Sequence, residues 1–214
     1  MRCLLTVLML VSWHADAPAA DPDIARLFSE AGVDGTVIIA ELDGSAEFVH
    51  DEARAARRAP VASTFKILNS LIALDEGLVA PADEVFIWDG HSHWLSDWNR
   101  NHTLASAYRA SCVWCYQQLA RRIGAERYRL HLQRADYGRL PAELDTTGFW
   151  LDGTLQLSAH EQIAFLRKLV EQSMPYAASS YAALKQIMRS QDGETYRIYA
   201  KTGWATTVEP HIGW

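Results

Sequence analysis

The sequence predicts an α/β domain on three observations. Strand-like runs stand at both ends, "GTVIIAELDGSAEFVHD" from Gly35 to Asp51 and "TYRIYAKTGWATTVEPHIGW" from Thr195 to Trp214. Between them lies a block of segments with apolar residues at helical spacing. No repeat, low-complexity stretch or linker divides the 214 residues. Strands at both ends of a helical block are expected to meet in one sheet.

The elements follow in order. Asp21 to Ala31 predicts a short helix closed by Gly32. The first strand run turns at Asp43-Gly44, a hairpin signal. Ser63 to Glu76 has helical spacing and stops at Gly77. Pro81 to Arg100 is irregular and aromatic, with Trp88, Trp94 and Trp98, which either line a rim or pack the loop. One long helix is predicted from about Leu104 to Ile123, stopped by Gly124, and another over Ala125 to Arg134. The loop "ADYGRLPAELDTTGFWLDGTLQLS" comes next. Ser158 and Glu161 then form a capping box opening a helix through Leu169, and a last helix spans Ser180 to Arg189.

Hydrophobic residues make up 49% of the chain and charged ones 21%, an ordinary globular composition with material for a core. A net charge of -6 gives no electrostatic case for nucleic acid or an anionic membrane. Residues 1–20 have the layout of a cleavable secretory signal: Arg2, the apolar run "CLLTVLMLVSW", then the small-residue stretch "ADAPAA". That run is too short to span a bilayer, so export to the periplasm without a stable membrane anchor is expected. Removing the leader leaves Cys112 and Cys115. At i, i+3 on a helix they permit a bridge, but two buried thiols are the expectation, and one C-x-x-C is too few ligands for zinc.

The chemistry starts at "APVASTFKILNSLIALDEGL". Ser63 and Lys66 are three apart at a helix start and share a face, which aims the Lys66 amine at Ser63 among apolar neighbours. A lone S-x-x-K arises about once by chance in a chain of this length. Lys201-Thr202-Gly203 is sharper, and S-x-x-K followed by a late K-T-G is the pattern of penicillin-recognising serine enzymes. His91 and His93 form an H-x-H without further ligands at a recognisable spacing, so exposed loop histidines are expected and no metal site. Arg54, Arg57 and Arg58 predict a solvated surface.

Taken together, the boxes identify a family resemblance. "STFK" at Ser63 to Lys66, Ser111-Cys112-Val113, Tyr137-Gly138, "FWLDGTLQLS" from Phe149 to Ser158 and "KTGWA" from Lys201 stand in the order found in class D serine β-lactamases, the oxacillinase type. The resemblance implies a β-lactamase/transpeptidase-like fold over residues 21–214, an antiparallel sheet flanked by helices with an all-helical part. It implies hydrolysis of penicillin-type β-lactam antibiotics, and so resistance. Ser63 would be the nucleophile. Lys66, its pKa lowered by burial, would add carbon dioxide and act as the base. No other cofactor is implied. Val113, Trp150 and Leu151 would wall the carbamate pocket, with the Trp150 N–H bonding the carbamate. Ser111 would pass a proton to the departing ring nitrogen, assisted by the charge of Lys201. Thr202, Gly203 and Trp204 would meet the substrate, and the Ser63 and Trp204 N–H groups would form the oxyanion hole.

Two departures are plain. Arg139 stands at the asparagine position of Y-G-N, where altered loop contacts rather than lost chemistry are expected. The chain ends at Trp214, eleven residues after Gly203, where the family continues with more sheet strands, a C-terminal helix and a carboxylate-binding arginine. A partial sequence is therefore expected, unstable and inactive as it stands. The competing readings are a β-lactam-sensing receptor domain, which acylates without turnover, and a penicillin-binding protein.

Overall fold

The computed structural model describes residues 22–80 and 85–214, which fall into two compact units, Met1–Ala55 and Ala56–Trp214. The signal sequence expected at residues 1–20 lies outside the described residues.

In the first unit, α1 (Pro22–Ala31) is followed by β1 (Val37–Ala40), β2 (Glu47–His50) and α2 (Glu52–Ala55). Gly32, at φ +63°, ends α1 as expected. β1 and β2 pair antiparallel, Val37 opposite His50 and Ala40 opposite Glu47. The Asp43-Gly44 turn forms because Asp43 Oδ1 accepts from the Ser45 N–H at 2.9 Å and Gly44 takes φ +76°.

The second unit holds β3 (Ala59–Pro60), a 3-10 turn Ala62–Phe65, α3 (Lys66–Asp75), β4 (Val85–Phe86), a 3-10 turn Ser96–Trp98 and β5 (His102–Thr103). After these come α4 (Leu104–Arg109), α5 (Val113–Ile123), α6 (Ala125–Ala135), β6 (Gln156–Leu157), α7 (Ala159–Glu171) and α8 (Ala178–Met188). β7 (Arg189–Asp192), β8 (Arg197–Tyr199), β9 (Trp204–Ala205) and β10 (Ile212–Gly213) close the chain. α3 is buried all round from Lys66 to Ala73 and packs against α5 and α8, which makes it the central helix of this unit. Phe65, Leu68, Leu71, Tyr116, Leu119, Tyr128, Phe149, Trp150 and Phe165 form the core around it. Ser158 and Glu161 make the capping box at the head of α7, as the sequence predicts.

Three expectations are corrected. The terminal strands do not meet in one sheet among the described residues, where the strands form five antiparallel pairs: β1–β2, β3–β6, β4–β5, β7–β8 and β9–β10. β1–β2, β7–β8 and β9–β10 join neighbours in sequence, which keeps loop-closure cost low. The helix expected over Leu104 to Ile123 is two helices, broken at Ala110 to Cys112. Cys112 and Cys115 are joined as a disulfide rather than held as thiols. The break explains the bridge: Cys112 lies outside the helix at ψ 107°, and its side chain is free of helical geometry.

Candidate active site

Ser63 is carried on the short turn between β3 and α3. The Val61 N–H donates to the Leu155 carbonyl at 3.2 Å, tying the turn to the loop before β6. Ala62 takes φ +47°, a left-handed conformation that non-glycine residues adopt mainly where surrounding structure enforces it. Thr64, directly after Ser63, is braced by a buried chain of hydrogen bonds. Tyr137 O–H donates to Gln162 Oε1 at 3.3 Å, Gln162 Nε2 donates to Thr64 Oγ1 at 2.9 Å, and Thr64 Oγ1 donates to the Val61 carbonyl. Ser63 itself is 8% exposed, open to solvent on one side of an otherwise closed turn.

Lys66 opens α3 and is fully buried. Its Nζ donates to Ser63 Oγ at 2.8 Å, so the i, i+3 reading is realised. The amine lies 5.1 Å from the centre of the Tyr116 ring, whose hydroxyl is hydrogen-bonded to Ser70 at 2.7 Å. Burial first, and then repulsion from the Lys201 charge, lower its pKa from 10.5 to about 7. A large fraction of this lysine is therefore neutral at physiological pH.

Lys201 precedes β9 and its Nζ lies 5.6 Å from the Tyr108 ring. Burial pulls its pKa down as well, to about 8. Gly203 brings the K-T-G segment against the serine turn. A Cβ there would lie 3.2 Å from both Thr64 Cγ2 and the Val61 carbonyl, and 3.1 Å from Trp214 Cδ1. Gly203 and Trp214 exchange two backbone hydrogen bonds, of 3.2 and 2.9 Å. By antiparallel alternation the Trp204 N–H then faces away from β10. Thr202 is exposed.

Ser111 joins α4 to α5 at φ +54° and is half-buried. Tyr108 on α4 and Tyr116 on α5 flank it in sequence, one under each lysine. Val113 is half-buried at the first position of α5, and Leu151 is half-buried against the core. Trp150 is fully buried, stacked on Phe65 with centroids 5.9 Å apart, and its Nε1–H has no hydrogen-bond partner among the described residues. A buried indole N–H normally finds one, so this donor is spare.

The other candidates resolve simply. Trp88 Nε1 donates to the His91 carbonyl at 2.8 Å and Trp98 Nε1 to the Ala110 carbonyl at 2.9 Å, so these two hold their loop. Trp94 is 74% exposed and meets Trp204 edge-on at 6.5 Å, which makes it part of a rim. His93 stacks on Trp114 and meets His91 edge-on, an aromatic arrangement. His102, Cys112 and Cys115 lie close enough together to hold a metal. The two sulfurs are bonded to each other, however, and His102 contacts Ser106 Oγ at 3.0 Å and the Asp97 carbonyl at 2.9 Å. Arg58 pairs with Glu161 of the capping box, and Arg54 lies 3.6 Å from Asp34. Arg139 is exposed in a surface hollow with Arg129 and Asp136. Gly138 is constrained by its φ of +71° and by Leu155 Cδ1, 2.9 Å from where a Cβ would stand.

Tyr108, Tyr116 and Gln162 were not singled out by sequence reasoning. For Gln162 a signal was present: it shares the buried stripe of α7 with Phe165 and Leu169, where a polar residue needs a partner.

Residues 40–213 match the family model for the penicillin binding protein transpeptidase domain. The β-lactamase OXA-48 of Klebsiella pneumoniae is 41% identical over 187 residues, 87% of this chain and 71% of that protein. OXA-2 of Salmonella typhimurium is 36% identical, over 90% of this chain and 70% of its own length. Among solved structures, a class D β-lactamase from Nostoc superposes with a TM-score of 0.86 at 35% identity, covering 89% of this chain and 81% of that one. FUS-1 (OXA-85) from Fusobacterium nucleatum gives 0.86 at 31% identity, over 91% and 81%. No helix among the described residues is long and apolar enough to cross a membrane. With a buried serine–lysine pair at the head of its central helix and these relatives, the chain belongs to the class D β-lactamase family.

Proposed function

We propose that the protein hydrolyses penicillin-type β-lactam antibiotics through a Ser63 acyl-enzyme, with Lys66 as a carboxylated general base, and so confers resistance from the periplasm. One observation carries the reading: the buried Lys66 amine, with a pKa of about 7, contacts Ser63 Oγ at 2.8 Å. The site fits uptake of carbon dioxide. The amine becomes mostly neutral as pH rises through about 7, and the spare Trp150 N–H sits in the same aromatic cluster as Phe65. Carbon dioxide bound on Nζ supplies a carboxylate-like base. Val113, Trp150 and Leu151 keep water from the lysine.

Ser63 Oγ attacks the lactam carbonyl as its proton passes to the Lys66 side. The Ser63 and Trp204 N–H groups stabilise the oxygen that becomes negative, and Ser111 protonates the departing nitrogen. Lys201 and Thr202 hold the substrate carboxylate beside Gly203. The acyl-enzyme is released by water activated from the Lys66 side. The test is hydrolysis of nitrocefin by the purified protein, with mass spectrometry of the acyl-enzyme. Repeated turnover supports the hydrolase. Stable acylation without turnover would instead support a sensor or a penicillin-binding protein.

A further inference from the structure

We propose that the Cys112–Cys115 disulfide is a positioning device that holds Ser111 in the left-handed turn its proton-transfer role requires. The inference rests on the hydrolase reading above and adds to it two residues that the reading does not use.

The turn is a helix ending of a defined kind. The Ser111 N–H donates to the Tyr108 carbonyl at 3.1 Å and the Cys112 N–H to the Ala107 carbonyl at 2.9 Å. These are the two crossed bonds of a Schellman motif on α4, with Ser111 at the left-handed position where glycine is preferred. Serine is strained at φ +54°, and such strain persists only where the surroundings over-determine the backbone. Both sides of the turn are held. Before Ser111, the Ala110 carbonyl accepts from Trp98 Nε1 at 2.9 Å. After it, Cys112 is the N-cap of α5, its Sγ accepting from the Cys115 N–H at 3.3 Å, and the same sulfur is bonded to Cys115.

The cross-link thus ties the one non-helical residue after Ser111 to the first turn of α5. Both cysteines are fully buried. A loop this short removes little freedom from the unfolded chain, so most of the effect is local.

The test is Cys112→Ser with Cys115→Ala, which removes the bridge and keeps an N-cap hydroxyl for α5. Wild type refolded with a water-soluble phosphine is the second route, the disulfide becoming two thiols as phosphine and water become phosphine oxide. Acylation and deacylation by a penicillin are measured per folded molecule, together with the ¹³C signal of labelled carbon dioxide on Lys66. Without the bridge, Ser111 relaxes toward unstrained conformations, and acylation is expected to fall about ten- to a hundredfold. Deacylation and the ¹³C signal are expected to stay within about twofold, because Ser111 serves the departing nitrogen only. A lower melting temperature with unchanged acylation per folded molecule would overturn the proposal alone. Failure of oxidised wild type to acylate at all would overturn the hydrolase reading and this proposal with it.

Discussion

Lys66 and Lys201 carry the same ammonium on the same four-carbon stem, each over a tyrosine ring, and the protein treats them differently. Lys66 is fully buried at the head of α3, feels the charge of its neighbour, and comes down to about 7. Lys201 keeps partial access to water and comes down to about 8. At neutral pH the first therefore has a substantial neutral fraction, while the second remains largely a cation. Depth of burial, more than residue type, sets the two lysines apart, and on the proposed mechanism it divides the base from the charge.

The largest effect should come from removing the difference outright. Ser63→Ala and Lys66→Arg are each expected to lower kcat/KM roughly 10³- to 10⁴-fold, since a guanidinium stays charged and cannot take up carbon dioxide. Steady-state kinetics with added bicarbonate check this, and Lys66→Arg should not be rescued. Trp150→Phe keeps an aromatic, though smaller, side chain and deletes the spare N–H, so the bicarbonate needed for half-maximal activity should rise about tenfold.

The comparison sharpens with pH. Turnover should rise through about pH 7 as Lys66 loses its proton and fall above about 8 as Lys201 loses its charge. In Lys201→Ala the repulsion on Lys66 is gone, so the acid limb should move to higher pH in a pH–rate profile.

The lysine that serves turnover costs stability while it is charged. The folded-state pKa of Lys66 lies below its unfolded value, so the unfolded chain binds more protons between about pH 7 and 10.5. Its penalty is full below 7 and is relieved as pH rises through that window. Lys66→Met should accordingly stabilise the fold by a few kcal/mol at pH 7 while abolishing turnover, as read by calorimetry. The smallest effect is expected from Arg139→Asn, with kcat/KM within about threefold, because Arg139 is exposed on the surface.

The Ser63–Lys66 pair was legible because i, i+3 geometry survives from a 3-10 turn into an α-helix. The Ser158–Glu161 box was legible because both of its bonds are local. The break at Ser111 was hidden. α5 starts directly after the turn, apolar residues continue on both sides, and the left-handed position holds serine instead of the glycine that would have marked it. The disulfide was misread for the same reason, since a pair thought to lie inside one helix gives no hint that Cys112 has left it. Pairings distant in sequence, such as β3 with β6 or Thr64 with Gln162, leave no local trace and needed the structure.

The most direct measurement of the central claim is ¹³C NMR of the purified protein with labelled bicarbonate, followed against pH alongside turnover. A single carbamate resonance is predicted, absent from Lys66→Arg, growing in through about pH 7 together with activity. An enzyme that turns over fully with no such resonance would show that Lys66 works without carbon dioxide, and would contradict the account of why it is buried.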